Sequence, residues 1–194
     1  MTNIKKIKKI TMISILSALV IILAFIPIRV SLEITLTIIP IAIGAIIGGP
    51  VVGLILGTVF GVVSFLQCLG YSWIGTQLFA IDPFLTFLVC VPTRMLAGFI
   101  PGLLNKMVSK KNKKLGEILA CLLVPVLNTF FFMSVLILCF YQAPVIQNFV
   151  IENNIPNVFA FVVAFVGING LVEMICGILV SYPVAKVLDK ANLL

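Results

Sequence analysis

Residues 81–102 read IDPFLTFLVCVPTRMLAGFIPG, an apolar stretch long enough to cross a bilayer with Arg94 near its middle. A fixed charge at bilayer depth costs about 2.5 kcal/mol or more, so it calls for an anionic partner or a wet cavity. Asp82 before Pro83 reads as an N-cap with proline in the first helical position, which sets where this helix begins. What Arg94 faces decides what the molecule does.

The composition around this stretch names the solvent. Of 194 residues, 62% are hydrophobic and 10% are charged, against about 25% charged in soluble domains. Too little polar surface exists to cover a globule in water, so the solvent is lipid. Apolar runs follow one another without an intervening soluble domain, which predicts a single integral membrane domain over 1–194, all-α in class. The formal net charge is +7, and its placement matters more than its size. Eleven lysines fall in three clusters: Lys5, Lys6, Lys8 and Lys9; Lys106, Lys110, Lys111, Lys113 and Lys114; Lys186 and Lys190. Each cluster flanks an apolar run, the pattern of a cytoplasmic membrane face rather than of a nucleic-acid patch. A lipid bilayer is therefore the expected surrounding, and nucleic acid is not an expected partner.

Six spans are predicted, over about 11–26, 36–48, 51–68, 83–104, 117–141 and 158–186. The basic start followed by an apolar run has the outline of a signal peptide, but no small-residue cleavage site leads into a soluble domain, so a retained first helix is expected. Residues 27–36, with Arg29 and Glu33, alternate in polarity and read as an outer loop with short strand character. Gly48-Gly49-Pro50 splits two short apolar runs, either as a turn between two helices, the preferred reading, or as a kink in one. Gly44, Gly48, Gly53, Gly57 and Gly61 form small-xxx-small faces for close helix packing. Residues 67–82 form a second outer segment with Tyr71, Trp73, Thr76 and Gln77. Its aromatics suit either a membrane-interface belt or a lid over a ligand. Six spans with both termini cytoplasmic, in a cell membrane, put all eleven lysines on one face.

Depth groups the buried polar residues. At 1.5 Å rise per residue, Arg94, Asn128 and Asn169 each lie roughly 16 Å along their helices, near the middle of a core about 30 Å thick. Glu173 is one turn further along from Asn169 on the same face. Three arrangements fit: a structural Arg94–Glu173 ion pair with the amides crosslinking helices, side chains that face different ways, or a polar cavity holding a ligand. A cavity is the favoured reading. The guanidinium fork matches a carboxylate or phosphate, and the two asparagines offer donors and acceptors for hydroxyls or amides. Trp73, Tyr71 and phenylalanines would cover an apolar part. The expected ligand is a small anion with hydrogen-bonding groups.

Catalysis and metal chemistry find little footing. The chain has no histidine and five cysteines, none in a zinc-like spacing, so neither a metal site nor a cofactor is expected. No nucleophile–base pair is visible, and an enzyme is not the expected reading. No phosphate-binding loop occurs, and six spans without an evident repeat are small for an alternating-access carrier. Uptake would need an outside engine or an oligomer.

The lysine-rich start, the six expected helices, the glycine-rich second and third runs and above all DPFLTFLVCVPTRMLAG at 82–98 resemble the substrate-binding S component of an energy-coupling-factor vitamin transporter. The resemblance covers nearly the whole chain and looks most like the pantothenate-type branch; S components for folate, riboflavin, cobalamin or similar vitamins, and an autonomous small-molecule carrier, are the alternatives. It implies a high-affinity capture subunit that binds vitamin outside and topples to release it inside. It also implies a membrane coupling (T) protein and two cytoplasmic ATPases as partners. The family's first helix carries an A-x-x-x-A motif against the coupling protein; here Ser14 and Ala18 occupy it, a departure that keeps both positions small. By resemblance, Arg94 takes the vitamin carboxylate, Asn128 and Asn169 its polar groups, and Trp73 and Gln77 belong to the gate. Glu173 either balances Arg94 or accepts a hydroxyl.

Overall fold

The computed structural model describes residues 2–26, 28, 29, 33, 34 and 36–190; the side chains of Lys5, Arg29, Glu33, Asn169 and Lys190 fall outside that description, as do positions 27, 30–32 and 35 of the expected 27–36 loop. Nine helices and two short strands are found among the described residues: α1 (Thr2–Ala24), β1 (Ile28–Arg29), β2 (Glu33–Ile34), α2 (Ile38–Ile47), α3 (Gly49–Gln67), α4 (Trp73–Ile81), α5 (Pro83–Val108), α6 (Lys113–Phe140), α7 (Pro144–Glu152), α8 (Val158–Cys176) and α9 (Tyr182–Lys190), with a π-helical turn over Gly177–Ser181 between the last two. The chain is an all-α membrane protein; the strands among the described residues are a two-residue antiparallel pair with Arg29 opposite Glu33.

Five stretches are long and apolar enough to cross a membrane among the described residues: Lys6–Ala24, Gly49–Gln67, Pro83–Val108, Lys113–Phe140 and Gly170–Leu188. Two shorter apolar helices, Ile38–Ile47 and Val158–Gly167, accompany them. At ten residues α2 is about 15 Å long, half the hydrocarbon thickness. It is tolerated because protein surrounds it: Ile38, Ile41, Ala42, Ile43 and Ala45 are all buried. The run over 158–186 is not one helix. It breaks at Gly167, whose φ of 51° and ψ of −143° lie outside the helical region, a conformation that glycine adopts without a Cβ clash. The first helix begins at Thr2 instead of near residue 11, because the lysine segment continues its backbone ladder.

Two helices occupy stretches expected to be outer loops. Ser72 opens α4 by accepting a hydrogen bond from Gly75 N at 3.3 Å, and Pro144 stands at the start of α7. Each has only nine residues, too few to show a clear helical period.

The tightest packing joins α3 to α5. A Cβ on Gly53 would collide with the Gly98 carbonyl, one on Gly57 with the Arg94 carbonyl, and one on Gly61 would meet Val91 Cα at 2.8 Å. The glycine stripe therefore brings backbone onto backbone. The two larger of three apolar clusters among the described residues lie around this seam. One joins Met12, Leu16 and Val20 of α1 to Ile38, Ile41, Val52, Leu56 and Phe60. The other joins Leu78, Val89, Met133, Phe140, Ile146 and Phe161.

Lysines from separate elements meet at one end of the bundle, where Lys9, Lys106, Lys110 and Lys113 surround a groove beside the Gly48–Pro50 turn. The α4 helix and the ends of α1 and α3 form the opposite end. There Asp82 caps α5, its Oδ1 accepting from Leu85 N at 3.0 Å while Thr86 Oγ1 donates to its carbonyl at 2.8 Å. Asp82→Ala is expected to cost about 1 kcal/mol, the usual loss at an N-cap, read as a lower thermal midpoint of the detergent-solubilised protein.

Candidate functional site

Arg94 lies three turns along α5 from that cap. Pro92 precedes it and cannot donate to the carbonyl four residues back, which loosens this turn. The Arg94 Nη1 atom folds back along its own helix, donating to the carbonyls of Val89 at 3.0 Å and Cys90 at 3.2 Å and to Thr93 Oγ1 at 3.4 Å. Its guanidinium carbon sits 5.0 Å from the Phe60 ring centre and 4.7 Å from that of Phe132. The cation thus lies over rings from both α3 and α6, within cation–π range of each. Arg94 is 8% exposed, and its Nε has no hydrogen-bond partner. One arm of the fork is tied to the helix, and the buried Nε remains unsatisfied.

This side chain borders a cavity of about 520 Å³, within the roughly 300–1,000 Å³ of small-molecule sites. Phe60, Ser64, Gln67 and Cys68 come from the α3 side, Thr86, Val89, Cys90 and Arg94 from α5, and Asn128, Thr129, Phe132 and Met133 from α6. The α8 helix adds Phe165, Val166, Gly170 and Glu173, and the segment entering α4 adds Tyr71, Ser72, Trp73 and Ile74. Thr86, Cys90 and Arg94 stand four residues apart, so one face of α5 supplies them.

Of the residues picked out in the sequence, the structure brings Arg94, Asn128, Glu173, Tyr71 and Trp73 around one cavity. Glu173 is 6% exposed and lies close enough to act on Arg94 electrostatically. Gln77 is half-buried on α4 and is not among the residues that line the cavity, although its neighbour Leu78 is. The backbone of Asn169 belongs to α8, while its side chain is outside the description. Ser14 and Ala18 are exposed on α1, away from the cavity, with Ser14 Oγ donating to Ile10 O at 3.0 Å.

The cavity wall also contains residues that the sequence reading passed over. Phe60 and Phe132 look like any lipid-facing phenylalanine in an apolar run. Thr86 carried a legible signal, two turns before Arg94 on the same face. Gln67 ties the end of α3 to α1, its Nε2 donating to Ala24 O at 2.7 Å, and Tyr71 reinforces the join through its hydroxyl to Phe25 O at 3.2 Å. These bonds hold the cavity mouth together across elements far apart in sequence. Among the described residues no cluster of three or more histidine, cysteine, aspartate or glutamate side chains could hold a metal.

The arrangement can bind one small molecule with an anionic end against Arg94, amide and hydroxyl partners along α5 and α6, and aromatic cover at the mouth. No curated protein matches the chain. A family model described as ECF transporter, substrate-specific component, matches residues 8–185. With that match spanning all but the two ends, the chain belongs to the substrate-specific component family of ECF transporters.

Proposed function

We propose that this protein captures a small carboxylate-bearing vitamin, pantothenate first among the candidates, in the cavity beside Arg94. The family is one of transporter subunits rather than enzymes, and it implies a small-molecule substrate, a membrane T protein and ATPases. The observation that carries the finer reading is the buried Arg94 in the cavity lining, in contact with the rings of Phe60 and Phe132. A permanently charged fork in that position is matched by a carboxylate. Pantothenate brings a carboxylate together with hydroxyl and amide groups, for which Asn128, Asn169, Thr129 and Glu173 are suitable partners. Trp73 and Tyr71 cover the entrance, and Gln77 steadies α4 behind them.

The lysine-rich end faces the cytoplasm of a cell-membrane protein with both termini inside, following the positive-inside rule. The cavity then opens outward. Ser14 and Ala18, exposed on α1, form the small-residue surface for the coupling protein, and two cytoplasmic ATPases drive the cycle. Six crossings result if α2 counts as a buried half-length crossing and the two parts of α8 with α9 count as one.

The purified protein, without ATPases, is expected to bind pantothenate one-to-one in calorimetry against a panel including folate, riboflavin and cobalamin. Tight binding of a different vitamin overturns the pantothenate assignment and keeps the capture role. Absence of binding to every vitamin, in a folded sample, overturns the capture reading of this cavity. Vitamin uptake by vesicles that contain no ATPase indicates an autonomous carrier.

A further inference from the structure

Two of the five cysteines meet in the cavity wall. Cys68, which follows the last residue of α3, and Cys90 on α5 place their sulfurs 3.8 Å apart. Both are 4% exposed, and both border the cavity. All five cysteines are free thiols. We propose that Cys68 and Cys90 form a reversible disulfide when a hydroperoxide reaches the cavity, and that this bond locks the α4 lid over the site. The crosslink itself is independent of the vitamin assignment, whereas the locking role rests on the reading of α4 as the cover of that cavity.

Geometry favours closure of this pair. The sulfurs are already in contact at 3.8 Å and must close to the ~2.0 Å of a disulfide, between elements whose backbones touch at Gly57 and Gly61. Cys68 Sγ donates to the Ser64 carbonyl at 3.3 Å. That is a weak partner to give up. The cavity gives a small polar oxidant a way to thiols that are otherwise shielded.

The chemistry balances in two steps. One thiolate attacks the peroxide O–O bond, taking an oxygen to become a sulfenic acid and expelling hydroxide. The second sulfur then attacks that sulfenic sulfur, forming the S–S bond and releasing water. Overall two thiols lose two electrons and two protons, and hydrogen peroxide becomes two waters. A thiol reductant reverses the bond by exchange.

The position of Cys68 connects the bond to the lid. Cys68 opens the short turn that leads to Ser72, the cap of α4. Gly75 on α4 stands against the Cys68 sulfur so closely that a Cβ there would lie 2.7 Å from it. Tying Cys68 to α5 therefore restrains the turn from which α4 starts.

The test uses the full-length protein in detergent, oxidised mildly with hydrogen peroxide, blocked with N-ethylmaleimide and mapped by peptide mass spectrometry. The expected product is one crosslinked peptide pair joining Cys68 to Cys90, with Cys121, Cys139 and Cys176 still alkylated and dithiothreitol restoring all five thiols. Hydrogen exchange of the α4 amides is expected to slow by about tenfold on oxidation, and not to slow in Cys90→Ser. If that variant does not fold, Cys68→Ser replaces it, and the wild-type peptide map stands without either. Recovery of Cys68 and Cys90 as free thiols, or as sulfinic acids without a crosslink, overturns the proposal. Unchanged α4 exchange in crosslinked protein overturns the locking role.

Discussion

Replacing Arg94 with methionine is expected to leave a folded protein that no longer holds its anionic ligand. The substitution keeps the unbranched apolar stem beside Phe60 and Phe132 while removing the charge that lies over those rings. Removing one partner of a buried charge pair costs about 2–5 kcal/mol of binding, a weakening of roughly 30-fold to several thousandfold. Stability is expected to fall as well, because the buried Glu173 loses the charge of Arg94 that acts on it, so the binding loss is read on a sample whose fold has been verified. Calorimetry with pantothenate and a thermal scan of the same sample separate the two effects. Arg94→Lys restores the charge without the planar fork and is expected to recover only part of the affinity. Wild-type affinity in Arg94→Met would remove the anion anchor. Failure of both variants to fold would instead make Arg94 a structural tie, balanced by Glu173.

Gly57→Ala is expected to destabilise strongly, against the sign that helix propensity predicts. In an open helix the change would favour folding by about 1 kcal/mol. Here the new methyl would collide with the Arg94 carbonyl and lie 3.2 Å from Met95 Cα, and backbone atoms in a glycine seam have nowhere to move. Overpacking typically costs about 1–3 kcal/mol, and this site belongs at the upper end or beyond it. Because α5 must step away exactly where Arg94 leaves the backbone, ligand affinity should fall together with the thermal midpoint. A midpoint equal to or above that of the wild type would mean that α3 and α5 do not meet as described.

These two residues also show what was legible in the sequence. Arg94, Asn128 and Glu173 stood out because polar groups are rare in apolar runs and costly there, so their presence alone pointed to a common site. The glycines of α3 showed through their near-four-residue spacing. Phe60 and Phe132, which meet the cation, did not, because lipid and a cavity accept the same ring and only the third dimension separates the two. The α4 and α7 helices escaped because nine residues complete too few turns to display a period. The break at Gly167 escaped for a related reason: glycine in an apolar run serves close packing at least as often as it serves a change of direction, and the residues around it look alike in both cases.

The α1 helix gives the fold a narrow seam, Met12, Leu16 and Val20, while Ile4, Ile7, Ile10, Ile15 and Ile22 turn away from it. Lipid asks of those outward positions only that they be greasy, so isoleucine, leucine, valine and phenylalanine are nearly interchangeable there. The informational weight of the molecule is therefore unevenly spread: heavy where glycine meets backbone and where the cation meets the rings, light across the perimeter. A designer could rewrite much of the outer coat of α1 and leave the architecture unchanged. Two proteins built on this plan could share a cavity while having few letters in common.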